Sequence, residues 1–280
     1  MTDSNPLVLY DISSPLQPRS YAPNPSKARL ALSFKRVPFT TKWIEILDIP
    51  DVRKGLGCPP VRQLADGSDF YTLPMLQDPT SGTVVGDSFD IASYLEEKFP
   101  DSGAGSLFPA DSTGTGLDYE SPHRDMAFPA PLTTRTGSAK TAPYAHFNMH
   151  VDATFSAHVV LVAYYMPFNP ATAEATRALF AKRAGLASWD DVLIQGEMRA
   201  QLTAAFQVAL TSLAQLFTVH DAGPYLEGAR ATYADLIVGG WLNMLSATMP
   251  REEWADFKTW HGGVFGRLHD ALQKNYFVCK

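Results

Sequence analysis

Short apolar runs and helical spacing alternate along the first hundred residues. Leu7-Val-Leu-Tyr-Asp-Ile12 is an apolar run closed by Ser13-Ser14-Pro15, too short for a helix, and it predicts a buried strand. Asn24-Pro25 predicts a helix start, with Asn24 as N-cap and Pro25 at the first helical position, where a missing N–H costs nothing. Ala28, Ala31 and Leu32 follow at helical spacing, and Lys27, Lys35 and Arg36 are expected on the opposite, solvated face. Phe39 to Ile46 is rich in β-branched and aromatic residues and predicts a second strand, spaced from the first as a parallel crossover requires. The stretch from there to Phe70 carries no periodic pattern and is expected to be irregular. Thr72 to Asp78 and Thr83 to Val85, joined by Pro79-Thr-Ser-Gly82, predict a hairpin. Asp87-Ser88 then opens a helix through Lys98 with Ile91, Tyr94 and Leu95 on its apolar stripe. The predicted order is βαβ-ββα.

Beyond residue 100 the pattern becomes helical. Residues 110–145 are rich in Ser, Thr, Gly and Pro and lack apolar periodicity, so they predict a linker and long loop that the fold does not need. Ser188-Trp-Asp-Asp191 and Thr232-Tyr-Ala-Asp235 have capping-box spacing. The first precedes a stripe of Met198, Leu202, Ala205, Phe206, Ala209, Leu213 and Leu216, which predicts one long helix in a bundle core. His146 and His150 stand one helical turn apart, a spacing that grips metals, but they lack an intervening acid and a third ligand nearby, so no metal is expected. Three parts follow: an α/β domain over 1–100, a linker and irregular insertion over 101–145, and an all-α domain over 146–280.

Composition narrows the function. With 280 residues, 45% hydrophobic, the chain has material for two modest cores. A formal net charge of −6 and the absence of any basic run argue against nucleic acid as a partner. No apolar run approaches the ~20 residues that cross a bilayer, so a soluble, cytoplasmic protein is expected. Cys58 and Cys279 lie far apart with no CxxC pair, which leaves a disulfide framework, a zinc ribbon and a dithiol motif unsupported. Any sulfur chemistry must arrive with a ligand.

Three segments in order give the chain a family likeness. "TLPMLQDP", "GDSFDIASYLEEKFP" and "GPYLEGARATYADL" resemble, respectively, the cis-proline segment, the glutamyl-binding helix and the helical-domain capping box of glutathione transferases. "APNPSKARLALSFKRVPFTTKWIEILDIPDV" together with "YTLPML" is most similar to the fungal etherase-like members, relatives of bacterial β-etherases that cleave lignin-type aryl ethers. The resemblance implies a thioredoxin-like N-terminal domain followed by an all-α bundle, a homodimer, glutathione as co-substrate, and a small hydrophobic aromatic substrate. It implies that Leu73, before a cis Pro74, holds the cysteinyl backbone of glutathione through its own N–H and C=O. By the same resemblance Ser88 is expected to take the γ-glutamyl carboxylate at a helix N-terminus, and Asp87 to pair with the ammonium. Lys54 and Arg62 are the basic residues within reach of the glycyl carboxylate by sequence, and neither is assigned to it. Tyr164-Tyr-Met-Pro-Phe168 concentrates aromatic area where the family builds its substrate pocket, so Tyr164, Tyr165 and Phe168 are pocket candidates, with core packing as the alternative.

The resemblance also exposes a departure. Family members usually carry Ser or Cys ten residues before the leucine that ends the first helix's apolar stretch, and here that position is Ala22. Activation of the glutathione thiol then falls to the positive end of the helix, free backbone amides, and the side chains of Asn24, Ser20 and Ser26. The expected activity is attack of the glutathione thiolate on an aromatic electrophile, with β-aryl ether cleavage as its finer form. The rival expectation is a protein that binds glutathione and hydrophobic ligands without turnover.

Overall fold

The computed structural model describes residues 5–109, 116–220 and 222–278. Cys279 and residues 110–115 of the predicted linker lie outside the described residues. In chain order the N-terminal half runs β1 (Leu7–Ile12), α1 (Pro23–Phe34), β2 (Phe39–Ile44), α2 (Ile49–Gly55), β3 (Arg62–Gln63), β4 (Asp69–Phe70), β5 (Met75–Gln77), β6 (Val84–Val85) and α3 (Ser88–Lys98). Its main sheet has the order β2-β1-β5-β6, with β1 parallel to β2 and antiparallel to β5, so that Leu9 faces Thr41 on one side and Leu76 on the other. This is the expected thioredoxin-like α/β unit with a mixed sheet. Residues 46–70 are not irregular, as their lack of pattern predicts. They hold a 3-10 turn over Ile46–Asp48, the helix α2, and the two-stranded β3-β4 hairpin. The inward-facing positions of α2 are Ile49 and Arg53, and an arginine in a core position erases the apolar signal.

The helical half runs α4 (Ala142–Ser156), α5 (Val160–Ala163), α6 (Ala173–Arg183), α7 (Gly196–Ala209), α8 (Thr211–Leu216), α9 (Tyr233–Thr248), α10 (Arg251–Phe257) and α11 (Trp260–Tyr276). The long helix expected after residue 188 is divided into α7 and α8 at Leu210, and Met198 of its predicted core stripe is 60% exposed, while Phe206 and Leu213 are buried. The Ser188 capping box closes a 3-10 turn over Trp189–Val192 rather than α7. The Thr232 box caps α9 as expected: the Thr232 N–H donates to Asp235 Oδ2 at 2.7 Å, and the Leu226 N–H donates to Asp235 Oδ1 at 2.7 Å. No helix among the described residues is long and apolar enough to cross a membrane.

Helix α1 corrects the picture of a solvated basic face. Lys27 and Lys35 have no solvent exposure, nor does Arg29, and only Arg36 lies outside. Each buried cation has a partner on another element: Lys27 with Asp152, Arg29 with Asp11 at 2.8 Å, and Lys35 with Glu96 at 2.8 Å. Packed between the sheet, α3 and α9, α1 has no free side, and breaking one member of such a pair costs about 3–5 kcal/mol. Two glycines of α9 permit the approach. A Cβ at Gly240 would lie 2.6 Å from the Pro23 carbonyl oxygen, and one at Gly239 would lie 3.2 Å from Leu30 Cδ1 and 2.3 Å from Leu272 Cδ1 of α11.

The insertion is also built into the core. Leu117, Tyr119, Ser121 and Thr141 are buried, the Tyr119 hydroxyl is 2.7 Å from Thr154 Oγ1, and the Ser121 N–H donates to His150 Nδ1 at 3.0 Å. Residues 116–141 contain no helix or strand, so their contribution comes from single side chains that a periodicity search passes over.

Candidate functional site

The N-terminus of α1 forms the first wall. Ala22, extended at φ −68° and ψ 143°, occupies the N-cap position without a side-chain cap, and Pro23 is the first helical residue. Asn24 is therefore inside the first turn and is not the N-cap that the sequence predicts, because Pro23 already satisfies the fixed φ of the helix start. Neither Pro23 nor Pro25 has an N–H, and the Ser26 N–H donates to the Ala22 carbonyl at 3.0 Å. The free backbone donors of the first turn shrink to the amides of Ala22 and Asn24.

Side chains there are held from behind. Lys27 Nζ donates to Asn24 Oδ1 at 3.0 Å, to Asn148 Oδ1 at 2.9 Å and to Asp152 Oδ1 at 2.5 Å, and Trp241 Nε1 donates to the same Asp152 oxygen at 2.6 Å. An ammonium only donates, so the amide atom of Asn24 facing it is the oxygen, and Nδ2 is left without a partner among the described residues. Burial pulls the Lys27 pKa down, and the Asp152 carboxylate pushes it back up. Ser26 is fully buried with Oγ accepting from Asn243 Nδ2 at 2.8 Å, and Ser20 is buried with its carbonyl accepting from the same Nδ2 at 3.2 Å. The structure thus brings Asn24, but neither serine hydroxyl, to an accessible position. Tyr21, which no sequence pattern singles out, is buried beside them. Burial raises its phenol pKa, and the charges of Asp11 and Glu45 add to the effect, so it stays protonated.

The second wall joins the hairpin to α3. The Leu73–Pro74 peptide is cis, and the Leu73 N–H makes no hydrogen bond among the described residues. Asp87 is the N-cap of α3, its Oδ1 accepting from the Phe89 N–H at 2.8 Å. Ser88 is the first helical residue; its hydroxyl has no partner among the described residues, while its carbonyl accepts from the Tyr233 hydroxyl at 3.0 Å. A free hydroxyl at a helix N-terminus suits a carboxylate. Behind both segments stands Arg53, fully buried, with Nη1 donating to the carbonyls of Thr72 and, at 3.0 Å, Gly86.

Of the two basic residues near this wall, Lys54 is exposed over the Tyr71 ring, and Arg62 packs on the Phe70 ring with Nη1 donating to the Pro131 carbonyl. Burial lowers the Arg62 pKa, and the charges of Asp87 and Asp152 oppose that shift. Arg135 of the insertion pairs with Asp90 of α3 at 2.9 Å.

A third group is aromatic. Tyr164 stacks on Trp189 with centroids 6.2 Å apart, and Phe168 meets Phe180 and Trp189 at 5.4 Å each. Tyr165 is 38% exposed beneath the Arg199 guanidinium. Asn169 Nδ2 and Thr172 Oγ1 donate to the two Glu45 oxygens at 3.0 and 3.1 Å, which ties this cluster to the α/β half beside Tyr21. Trp189 and Phe180 are members that sequence spacing does not reveal, because they come from separate elements. His146 and His150 have ring centroids 4.2 Å apart and bind the insertion through Leu117 and Ser121. No group of three or more metal-ligating residues occurs among the described residues.

Known proteins resemble this chain over nearly its whole length. The family model described as glutathione S-transferase, N-terminal domain, matches residues 21–98, and that of the C-terminal domain matches residues 142–276. The glutathione S-transferase-like protein ustS of Aspergillus flavus is 26% identical over 97% of this chain and 92% of its own length. A glutathione S-transferase of Ceriporiopsis subvermispora, crystallised in complex with glutathione, is 26% identical with a TM-score of 0.79, over 98% of this chain and 99% of the other. The β-etherase LigF of Sphingobium sp. strain SYK-6 shares the fold at 18% identity and a TM-score of 0.58, over 95% of this chain and 94% of its own. With matched domains at both ends of a thioredoxin-like and helical pair, this chain belongs to the glutathione S-transferase superfamily.

Proposed function

We propose that the protein is a glutathione-dependent transferase acting on a hydrophobic aromatic electrophile. The observation that carries this reading is the cis Leu73–Pro74 peptide beside the open N-terminus of α3 at Ser88. Leu73 offers a free extended N–H for a backbone-to-backbone bond with the cysteinyl unit. Ser88 and the α3 terminus receive the γ-glutamyl carboxylate, and Asp87 receives its ammonium. These placements direct the sulfur toward the N-terminus of α1. There Asn24 Nδ2 and the Asn24 amide are the donors that lower the thiol pKa, and the dipole of a twelve-residue helix adds to them.

Bound glutathione supplies the nucleophile. On a β-aryl ether a carbon–sulfur bond forms as the carbon–oxygen bond breaks, and the aryloxide leaves to take a proton from water. The cluster of Tyr164, Phe168 and Trp189 supplies apolar area for such a ring. Ether cleavage is the finer form of the proposal, favoured by the sequence likeness over 22–52. Carriage without turnover is the second reading, and Ala22 favours it by removing the usual hydroxyl or thiol. Steady-state assays with glutathione and a chromogenic β-aryl ether, run beside displacement of an apolar dye, separate the two. Glutathione-dependent release of the phenol supports transfer; dye displacement with no phenol supports carriage.

A further inference from the structure

Arg53 is a buried cation with no carboxylate partner among the described residues. Its Nη1 donates to the Thr72 and Gly86 carbonyls, and its Nη2 donates to Pro59 O at 2.6 Å and Cys58 Sγ at 3.1 Å. Nε is buried without a partner. Four acceptors from three chain segments thus converge on one planar fork, a geometry a lysine ammonium does not reproduce. Two of those acceptors have particular addresses. Thr72 precedes Leu73 and the cis peptide, and Gly86 precedes the N-cap Asp87 and Ser88.

The packing leaves the fork no alternative seat. A Cβ on Gly86 would lie 2.2 Å from Arg53 Nη2 and 2.6 Å from Cys58 Sγ, so glycine is what permits the guanidinium to lie against this backbone. Burial lowers the Arg53 pKa, while Cys58, Asp87 and Tyr71 act in the opposite sense. A cation buried without a counter-ion is costly in most interiors, and here it faces segments to which the proposed function brings a carboxylate.

We propose that Arg53 is a positioning residue, which fixes the separation between the Leu73 backbone and the Ser88 helix entrance and thereby sets glutathione affinity without touching glutathione. This inference rests on the assignment of those two segments to glutathione. A site built on two separate backbones needs both held to a fraction of an ångström, and a small relative displacement weakens every contact that spans them.

The test uses the full-length protein with glutathione and the chromogenic ether, or a halogenated nitrobenzene in its place. Arg53→Lys should raise the KM for glutathione at least about tenfold, with KM for the electrophile and kcat at saturating glutathione within about twofold. Gly86→Ala, which displaces the fork while keeping its charge, should reproduce that pattern and carries the test if Arg53→Lys does not fold. Cys58→Ala, which removes the weakest acceptor, should leave both KM values within about twofold. Unchanged glutathione KM in Arg53→Lys or Gly86→Ala overturns the proposal, as does an equal fall in kcat with both KM values constant. Ser88→Ala separates this failure from failure of the underlying assignment. If Ser88→Ala loses glutathione affinity while Gly86→Ala does not, only the role of Arg53 falls; if neither loses it, both fall.

Discussion

Lys27 Nζ holds Asn24 Oδ1 at 3.0 Å from a position with no solvent exposure, and so turns the amide nitrogen of Asn24 outward at the N-terminus of α1. The orientation is dictated by chemistry, since an ammonium has only donors to offer. Lys27 is held in turn by Asn148 and Asp152 of α4, and Asp152 by Trp241 of α9. The helical half thus sets the conformation of a side chain in the α/β half. A family position without its usual hydroxyl or thiol stands next to an amide that the rest of the molecule aims.

Asn24 can be tested without the usual ambiguity. Because Ala22 rather than Asn24 is the N-cap, Asn24→Ala removes the proposed thiolate donor without removing a cap. Asn24→Asp keeps an oxygen facing Lys27 and puts a negative charge near the sulfur. It should preserve the melting temperature while lowering kcat/KM and shifting the pH–rate profile upward. Full activity for Asn24→Asp with an unmoved profile would return the role to the backbone amides and the helix dipole.

Ser88→Ala should weaken glutathione binding by about 1.5–3 kcal/mol, the worth of a charge-assisted hydrogen bond. The Ser88 hydroxyl makes no bond within the described chain, and Asp87 supplies the cap, so the thermal stability of the free protein should hardly change. Titration calorimetry with glutathione alone reads the loss; unaltered affinity refutes the assignment of Ser88.

Lys27→Met should destabilise the protein by about 3–5 kcal/mol, because it leaves the buried Asp152 carboxylate with only its neutral donors. Lys27→Met combined with Asp152→Leu should be less destabilised than the sum of the single variants, since the pair is then removed together. Denaturant unfolding of the three variants gives the coupling, and additivity would show that the two residues act independently.

The insertion should be released by acid. His150 Nδ1 accepts from the Ser121 N–H, and burial lowers the His150 pKa, with the neighbouring His146 charge acting in the same sense. Glu120 and Asp125 oppose that shift, and Arg124 reinforces it. A folded pKa below the unfolded value of about 6.5 means that stability is fully present above that pH and falls as pH drops through the folded value. His150→Asn should therefore lose less stability than the parent protein as the pH is lowered below ~6.5. Parallel melting curves of parent and variant against pH would remove His150 from the account. Deleting residues 118–139 should lower the melting temperature at every pH, because Tyr119 and Ser121 are buried partners of α4.

Elements whose causes lie within a few residues are legible along the chain. The run at Leu7–Ile12, the hairpin around Pro79–Gly82, the Asp87 cap and the Thr232–Asp235 box all lie within a few residues of their own causes, and each is found where its pattern places it. The family match carried that order to a fold class. Tertiary structure decided what depends on distant partners. Lys27 and Lys35 read as members of a polar helix face, and no local pattern marks Arg29 or Arg53; all four are buried because Asp152, Asp11, Glu96 and the Thr72 and Gly86 carbonyls meet them from elsewhere in the chain. Ser20 and Ser26 read as available hydroxyls, yet Asn243 of α9 closes over their segment. Burial and pairing are properties of the assembled neighbourhood, so a charge's role is fixed only when its partner arrives.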